Sequence, residues 1–543
     1  MAFHIADLFE HSVDLVPERA ALVQGERTRT YAQLEHRANQ LAHALRDMGV
    51  GPGDRVAVYS RNTIEAIESM LAIFKLRAVM VNINYRYVAA ELLHILHDSQ
   101  ARTVICERRY ADVLTEALPQ APDVRSVLVV EDRSDAAPPT GGAAAVVEYE
   151  DALAAFGGGR DFGPRSDDDV YMLYTGGTTG NPKGVMWRHE DVFMVLGGGI
   201  DFLTRETVAD EWELANKGAA ADPIVSHALP PLIHGGAQWA ILQALFGGRK
   251  SVIEPEFDAA TVWRNITRHG INLMFVTGDA MVRPLLDAWD PEEHDASTLF
   301  YIGSSAALLS PTVKEQFLEL FPNVLLSDNI GSSETGFSGM EKVEKGTGKS
   351  GGPRVFIDAE TSVIDADGKP VEPGSGKVGK LARSGHIPLG YWRDEAKTAK
   401  TFPTLGGKRY AIPGDDARVE ADGTVTMLGR GSTSINTGGE KVHPEEVEGA
   451  LKAHPEVIDA LVVGVPDERM GTKVAAVVST RGGPVALAEL NETARKYVAR
   501  YKCPRALWIV DEIRRSPAGK PDYRWAAEIT QSRPADDSME FSR

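Results

Sequence analysis

The stretch Tyr174-Thr-Gly-Gly-Thr-Thr-Gly-Asn-Pro-Lys183-Gly-Val185 has three glycines, three threonines and a lysine within its first ten residues. Glycine lets the backbone approach an anion closely, while hydroxyls, backbone N–H groups and lysine donate to phosphate oxygens. The apolar run 170–173 precedes it, as expected of a loop that follows a buried strand. It is not a Walker A loop, because that motif has glycine directly before its lysine, and Pro182 stands there. The stretch predicts a phosphate-binding loop, with an ordinary Gly-Thr surface turn as the alternative.

The composition is that of a globular protein of more than one domain. The chain has 543 residues, which is more than one hydrophobic core usually organises. Its residues are 43% hydrophobic and 25% charged, as is usual for a globular protein. A net charge of −19 argues against nonspecific binding to nucleic acid or to an anionic membrane. The N-terminus lacks the order of a signal peptide, and no apolar run approaches the ~20 residues of a membrane span. Two cysteines exclude a disulfide framework and fit a reduced, cytoplasmic setting.

Helical and strand-like patterns alternate over residues 1 to about 170, which predicts an α/β sheet. Residues 31–48 read as an amphipathic helix with one apolar stripe. The pattern continues downstream, with strands expected at 299–303 and 324–326. After about residue 350 short strands and turns predominate. The last 110 or so residues read as a small α/β unit, and the Gly-rich joint Gly429–Ser432 marks its boundary.

Four further stretches place a polar side chain at a turn. They are 229–236 with His234, 330–336 with Glu334, 413–418 with Asp415, and 516–521 with Lys520. Each has an ordinary interpretation as a structural histidine, a solvated turn carboxylate or a surface lysine. The carboxylate of Glu334, set among hydroxyls, also suits Mg²⁺, and Asp415 suits a ribose diol. These stretches gain a functional interpretation only beside the Gly-Thr loop.

Together and in this order, the five stretches resemble the adenylate-forming superfamily of acyl-CoA synthetases, luciferases and peptide-synthetase adenylation domains. The resemblance covers nearly the whole chain and includes the segments 30–42, 390–392 and 441–448. A narrower resemblance, to actinobacterial ligases that activate carboxylated steroid side chains, is carried by 186–191, 330–337 and 516–525.

The resemblance implies a fold in two parts. A large N-terminal domain, residues 1–429, would contain doubly wound α/β sheets and a β-rich subdomain. A hinge at 430–432 would lead to a small mobile α+β C-terminal domain, residues 433–543, which carries Lys520. The hinge position that is often Asp or Lys in the family is Ser432 here.

The resemblance also implies two half-reactions with ATP, Mg²⁺ and CoA. A carboxylate attacks the α-phosphate of ATP to give acyl-AMP and pyrophosphate, and the CoA thiol then displaces AMP. Lys520 would bridge the carboxylate and the α-phosphate, and Glu334 would hold Mg²⁺. The implied catalytic residues are Thr178, His234, Glu334 and Lys520. The residues that would enclose the outgoing phosphates are Thr175, Gly176, Gly177, Thr178, Thr179, Gly180 and Lys183.

The remaining implied contacts concern the nucleotide, the acid and CoA. The adenine side would be lined by Ser304, Ser305, Ala306, Asp328, Ile330, Gly331, Ser332 and Ser333. The ribose hydroxyls would meet Asp415 and Arg430, the acyl pocket would contain His234, Gly236 and Gly303, and the pantetheine arm would meet Gly438, Gly439 and Lys441. Ile330 stands where the family commonly has a stacking tyrosine, so we expect ATP binding to be tuned rather than lost.

We expect a ligase that makes the CoA thioester of a bulky apolar acid, with a steroid acid first. The glycines 197–199 are expected to leave volume in the acyl pocket. A medium- or long-chain fatty acyl-CoA ligase, or an acyl-AMP ligase that delivers to a carrier protein, are the enzymatic alternatives. A nonenzymatic nucleotide-binding protein is a third class, disfavoured because both Lys520 and Glu334 are present. A homodimer is one assembly compatible with these expectations.

Overall fold

The structure is a computed structural model that describes residues 3–175, 182–202, 204–307, 309–343, 354–430, 433, 435–437, 440–467, 471–498, 500–516 and 519–539. The helices are α1 Ile5–Leu15, α2 Tyr31–Asp47, α3 Ile64–Lys75, α4 Ala89–Ser99, α5 Ala111–Ala117, α6 Tyr149–Ala154, α7 His189–Val192, α8 Glu213–Ala220, α9 Gly235–Phe246, α10 Ala259–His269, α11 Gly278–Asp287, α12 Pro311–Leu320, α13 Glu395–Thr401, α14 Pro444–Leu451, α15 Leu487–Ala494 and α16 Tyr523–Ser532.

The strands are β1 Ala20–Gln24, β2 Arg27–Thr30, β3 Arg55–Tyr59, β4 Val79–Asn82, β5 Thr103–Glu107, β6 Ser126–Val130, β7 Ala145–Glu148, β8 Val170–Thr175, β9 Lys183–Arg188, β10 Val225–Ala228, β11 Lys250–Val252, β12 Leu273–Val276, β13 Tyr301–Ser305, β14 Leu325–Ser332, β15 Gly336–Val343, β16 Arg354–Ile357, β17 Thr361–Ile364, β18 Val378–Arg383, β19 Gly390–Tyr391, β20 Thr404–Leu405, β21 Lys408–Arg409, β22 Asp415–Val419, β23 Val425–Arg430, β24 Ile435–Thr437, β25 Glu440–Val442, β26 Val457–Asp467, β27 Gly471–Thr480, β28 Ala506–Val510 and β29 Asp537–Ser538.

The chain forms two compact units, which we describe separately. The first comprises Met1–Phe275 and His386–Pro403, and the second comprises Val276–Gly385 and Thr404–Arg543. The mixed α/β architecture agrees with the fold class expected from the sequence. The division at 430–432 stays a prediction.

The first unit contains parallel sheets covered by helices. One sheet has the order β4-β3-β5-β6-β7, with every pair parallel. Its strands carry an apolar core because both faces are covered. The helix α2 begins at a capping box in which Thr30 and Gln33 satisfy each other's backbone N–H groups. Its predicted stripe is fully buried at Leu34, Ala38, Leu41 and Leu45.

The second unit contains a sheet in the order β17-β18-β22-β23-β16-β15-β14-β13. The pair β13–β14 is parallel, and the other pairs with recorded register are antiparallel. A four-stranded sheet, β26-β27-β28-β29, has apolar clusters on both faces, because successive side chains along a strand point to opposite sides. The helices α14 and α15 pack on one face and α16 packs on the other.

Three predicted elements differ from the structure in their bounds. The strand expected at 299–303 is β13, Tyr301–Ser305, and the strand expected at 324–326 extends through β14 to Ser332. β14 is long because it pairs with the directly following β15 from Leu326 to Ser332, although residues 327–332 are mostly polar. The sequence pattern of 486–498 also predicts a helix, and α15 ends earlier, at Ala494.

Candidate active site

The predicted phosphate loop leaves and re-enters an antiparallel hairpin in the first unit. β8 ends at Thr175 and β9 begins at Lys183, and these two residues are cross-strand partners. The predicted phosphate contacts Gly176, Gly177, Thr178, Thr179 and Gly180 lie outside the described residues. The two arms of the loop are therefore fixed at a strand pair, as expected of a loop that follows a buried strand.

Lys183 is held by a carboxylate at the start of α13. Its Nζ lies 2.9 Å from Oδ2 of Asp394, whose Oδ1 accepts the backbone N–H of Lys397 at 2.9 Å. The Lys397 N–H, and then the Lys183 ammonium, lower the pKa of Asp394. The indole of Trp392 donates to the Asp98 carbonyl at 2.9 Å, and its backbone N–H donates to the Gly184 carbonyl at 2.8 Å. The segment 390–392 thus secures the second arm of the loop, which explains its place in the sequence pattern.

Asn82 connects the first arm of the loop to the turn that carries His234. Its Oδ1 accepts the Tyr174 N–H at 2.8 Å, and its Nδ2 donates to the carbonyls of Tyr174 at 2.9 Å and Ile233 at 2.7 Å. The side chain is buried at the end of β4. A buried amide with satisfied donors and acceptor fixes the relative position of the two segments.

Two more side-chain amides fix the turn before His234. Oδ1 of Asn62 accepts the Leu232 N–H at 2.6 Å, and Nε2 of Gln238 donates to the Leu232 carbonyl at 2.7 Å. His234 is the N-cap residue of α9 and is half-buried. A Cβ added at Gly236 would meet no atom within 4 Å, so the first turn of α9 has open space on that side. The N-terminus of α9 also favours negative charge nearby.

The glycines 197–199 do not leave the volume expected of them. A Cβ at Gly197 would lie 2.5 Å from Cδ2 of Phe193, and one at Gly199 would lie 2.7 Å from Sδ of Met194. The segment Phe193–Gly197 is a π-helical turn after α7, and these close approaches require glycine there. The expectation of pocket volume was therefore wrong, since neighbouring side chains fill the space.

The residues predicted for the adenine side lie at the carboxyl ends of two neighbouring parallel strands of the second unit. Ser304 pairs with Asp328, and Ser305 pairs with Asn329, across β13 and β14. The hydroxyl of Ser304 accepts the Gly278 N–H at 3.2 Å. Ala306 follows with φ 68°, a left-handed conformation that non-glycine residues rarely adopt. Strained backbone of this kind concentrates at functional sites.

Asp328 is buried and paired with a lysine of α12. Its Oδ2 lies 2.8 Å from Nζ of Lys314, which also lies 3.3 Å from Oε2 of Glu341. Burial raises the pKa of the Asp328 carboxyl, although the Lys314 ammonium opposes that rise. The ion pair of Asp328 with Lys314 therefore links β14, on the predicted adenine side, to α12.

Glu334 lies in the turn between β14 and β15 and is half-buried. The hydroxyls of Ser332 and Thr335 lie 3.0 Å apart, and the Ser332 hydroxyl accepts the Thr335 N–H at 3.2 Å. A Cβ at Gly331 would lie 2.2 Å from the Gly336 carbonyl oxygen, so only glycine fits there. The turn that carries Glu334 is thus held by hydrogen bonds between Ser332 and Thr335 and by the close backbone approach at Gly331.

The two predicted ribose contacts face each other across neighbouring strands. Asp415 is the first residue of β22, and Arg430 is the last residue of β23; the two are cross-strand partners. Both strands belong to the sheet that contains β13 and β14. For Lys441 the structure gives the backbone alone, in β25 opposite Asn436. Gly438 and Gly439 are outside the described residues.

Lys520 is exposed at the end of a tight turn in the second unit. The Lys520 carbonyl accepts the Ser516 N–H at 2.8 Å, and the Lys520 N–H donates to the Ser516 hydroxyl at 3.1 Å. Gly519 has φ 70°, and a Cβ there would lie 3.1 Å from Cγ2 of Thr277 and 3.5 Å from Cβ of Ala307. The turn therefore packs beside the strand end that forms the predicted adenine wall.

Asn82, Asn62 and Gln238 were not identified from the sequence. No motif singles them out, and their partners are distant along the chain. The one available signal is that the buried strand at 79–82 ends in an asparagine, since an amide in an apolar environment needs partners.

Two family matches cover most of the chain. Residues 9–392 match the AMP-binding enzyme family, and residues 446–520 match the AMP-binding enzyme C-terminal domain.

None of the described helices combines the length and hydropathy of a membrane span. Within the described ranges there is no group of three or more His, Cys, Asp and Glu side chains suited to holding a metal.

Curated relatives match over the whole length. A 3-oxocholest-4-en-26-oate–CoA ligase of Rhodococcus rhodochrous is 60% identical over 99% of this chain and 98% of its own. A medium/long-chain-fatty-acid–CoA/3-oxocholest-4-en-26-oate–CoA ligase of Mycobacterium tuberculosis is 56% identical with the same coverage. The crystal structure of the anthranilate CoA ligase AuaEII with anthranoyl-AMP is 23% identical, with a TM-score of 0.83 and 98% of both chains covered, and shows the shared fold. The chain therefore belongs to the AMP-binding enzyme family and is an adenylate-forming acyl-CoA ligase.

Proposed function

We propose that this chain converts a steroid acid with a carboxylated side chain into its CoA thioester, using ATP and releasing AMP and pyrophosphate. The identity of 60% over 99% of the chain to a 3-oxocholest-4-en-26-oate–CoA ligase supports the substrate class. The observation that carries the chemistry is the packing of the Lys520 turn beside Thr277 and Ala307. That packing supports a role for Lys520 near the predicted nucleotide wall.

In the first half-reaction a carboxylate oxygen attacks the α-phosphorus, and the bond from that phosphorus to pyrophosphate breaks. Two anions must meet, so a cation at the reacting centre lowers the barrier. We assign that cation to Lys520, the outgoing phosphates to the loop 175–183, and the ribose hydroxyls to Asp415 and Arg430. Ser304–Ala306 and the segment Asp328–Ser333 would line the adenine.

The predicted metal site fits Mg²⁺ chemically. Glu334 is half-buried in a turn that also contains the hydroxyls of Ser332 and Thr335, and Mg²⁺ commonly takes one or two carboxylates together with substrate phosphates. We propose that Glu334 would hold the ion, which supplies charge neutralisation on the phosphates when bound.

In the second half-reaction the CoA sulfur attacks the acyl carbon, and AMP leaves. We propose that residues 433–543 rotate at 430–432 between the two steps, so that Gly438, Gly439 and Lys441 approach the pantetheine arm. The acid would lie near His234, Gly236 and Gly303.

We include a cytoplasmic location and a homodimeric assembly in the proposal. Cys106 and Cys503 are buried free thiols, which is compatible with a reducing compartment. Sedimentation of the purified chain tests the assembly.

A competition assay tests the substrate class. The assay contains 3-oxo-steroid acids with intact side chains, linear medium- and long-chain fatty acids, ATP, Mg²⁺ and CoA. We expect the steroid acids to form the dominant CoA thioester, as measured by mass spectrometry. Preference for a linear acid over every steroid acid would overturn the steroid assignment and favour the fatty acyl-CoA ligase. Omitting CoA tests the other alternative, because an acyl-AMP ligase for a carrier protein forms acyl-AMP but no thioester with CoA.

Replacing Asn82 with alanine is expected to raise the KM for both ATP and the acid about tenfold. The reason is that Asn82 bonds to the carbonyls of Tyr174 and Ile233, which lead to the phosphate loop and to His234. The free energy of unfolding should also fall by about 1–3 kcal/mol, because buried partners lose their hydrogen bonds. Steady-state kinetics in each substrate and thermal unfolding measure these effects.

Asn84→Ala, two residues further on, is the control for Asn82→Ala. The Asn84 side chain accepts a local bond from the Arg86 N–H. If Asn82→Ala lowers stability while both KM values stay at the wild-type level, Asn82 has a structural role alone.

A further inference from the structure

A chain of charged side chains in the second unit leads from α11 to the Lys520 turn. It begins at Asp279, in the first turn of α11. Oδ1 of Asp279 accepts the Ser310 N–H at 2.7 Å, and Oδ2 lies 3.1 Å from Nζ of Lys452. Arg283 is a more distant neighbour, at 3.6 Å from Oδ2. One carboxylate oxygen of Asp279 therefore accepts a hydrogen bond from the Ser310 backbone, and the other pairs with Lys452, which is distant in sequence.

Lys452 follows α14 directly and is almost fully buried, with 1% of its side chain exposed. Its Nζ also lies 3.4 Å from Oδ1 of Asp459. The Lys452 carbonyl accepts the Thr312 hydroxyl at 2.9 Å, which is a second contact of Lys452, to the first turn of α12. A buried ammonium is costly unless it is paired, so the position of Lys452 depends on these carboxylates.

Asp459 binds Arg515, which in turn contacts the turn that carries Lys520. Its two oxygens lie 2.5 and 2.7 Å from Nε and Nη2 of Arg515, a bidentate pair. Nη1 of Arg515 donates to the Gly519 carbonyl at 3.1 Å. Burial opposes the ionisation of Asp459, but Lys452 and Arg515 lower its pKa to about 2. Charged contacts thus run continuously from Asp279 to the residue before Lys520.

The turn also packs on α11 directly. A Cβ at Gly519 would lie 3.1 Å from Cγ2 of Thr277 and 3.4 Å from Cβ of Ala280. Thr277 is the N-cap residue of α11, the helix that carries Asp279. The ion pair and the glycine contact therefore act on the same helix end.

We propose that Asp279 and Lys452 are positioning residues that hold the Lys520 turn where acyl-AMP forms. The inference rests on the proposed function and extends it to residues without any motif signal. The hinge predicted at 430–432 lies between Asp279 and Lys452 in sequence, so rotation of residues 433–543 would separate the pair. A contact made in one orientation only shifts the equilibrium toward that orientation by its differential free energy.

Asp279→Asn tests the proposal, because asparagine retains an oxygen for the Ser310 N–H and loses the negative charge. We expect acyl-AMP formation from ATP and acid to slow about tenfold. Thioester formation from supplied acyl-AMP and CoA should stay at or above the wild-type rate. Asp287→Asn, in the exposed last turn of the same helix, is the matched control and should change neither step. Asp279→Glu, which keeps the charge, should restore most of the first rate.

A double-mutant cycle keeps the test decisive if one variant is unstable. Lys452→Gln should reproduce the effect of Asp279→Asn, and the double variant should be little slower than either single variant, because both remove one interaction. Equal loss in both half-reactions, or full additivity, would overturn the proposal in favour of a general structural role. A wild-type chain that forms no acyl-AMP would instead overturn the proposed function, and the inference with it.

Discussion

Lys520→Ala is expected to slow acyl-AMP formation about a thousandfold. Lys520 is the cation that we assign to the meeting of the carboxylate and the α-phosphate, and alanine leaves that charge uncompensated. The turn itself should survive, because its bonds to Ser516 involve the backbone of Lys520. Pyrophosphate release from ATP and acid measures the loss.

The second half-reaction distinguishes a mechanistic role from a structural one. Supplied with acyl-AMP and CoA, the Lys520→Ala variant should form thioester close to the wild-type rate, because the proposed rotation of residues 433–543 would remove Lys520 from the site. Lys377→Ala, an exposed lysine of the same unit, is the control and should leave both steps unchanged. If Lys520→Ala loses both half-reactions equally, the two steps do not use separate conformations.

Local signals in the sequence were enough to predict most of the fold. The helix at 31–47 follows from a capping box at Thr30 and an apolar stripe, both of which depend on residues close in sequence. The alternation of helix and strand patterns predicted the parallel sheets, because parallel strands require crossover connections. Prediction failed at the end of β14, because residues 327–332 are mostly polar and do not show a strand pattern, although they pair with the directly following β15.

The candidate site divides in the same way. Lys520, Glu334 and Asp415 were predicted because their stretches occur together with the Gly-Thr loop, in the order that resembles the family. Asn82 could not be found, because its partner Ile233 is 151 residues away. Asp279 and Lys452 are 173 residues apart and look like ordinary surface charges until the fold buries them together. The prediction of pocket volume at glycines 197–199 failed for a related reason. The side chains next to these glycines belong to a π-helical turn and to α9.

Glu334→Gln is expected to lower the maximal rate of acyl-AMP formation about a hundredfold and to raise the Mg²⁺ concentration needed for half-maximal rate. Glutamine keeps the size of the side chain and one oxygen acceptor, but it removes the negative charge that a hard divalent cation prefers. The hydrogen bonds between Ser332 and Thr335 do not involve the carboxylate, so the turn should keep its shape. The effect should therefore appear in metal dependence and rate, with little change in thermal stability.

A titration with Mg²⁺ separates loss of the ion from loss of the fold. Pyrophosphate release is measured at fixed ATP and acid over a range of Mg²⁺ concentrations, and binding of ATP is followed by calorimetry with and without the ion. Wild-type protein should bind ATP more tightly with Mg²⁺, and this gain should shrink in Glu334→Gln. Glu372→Gln, an exposed glutamate of the same unit, should retain the gain in full. An unchanged Mg²⁺ dependence in Glu334→Gln would show that Glu334 does not bind the ion, since neutralising a carboxylate that binds Mg²⁺ must weaken Mg²⁺ binding.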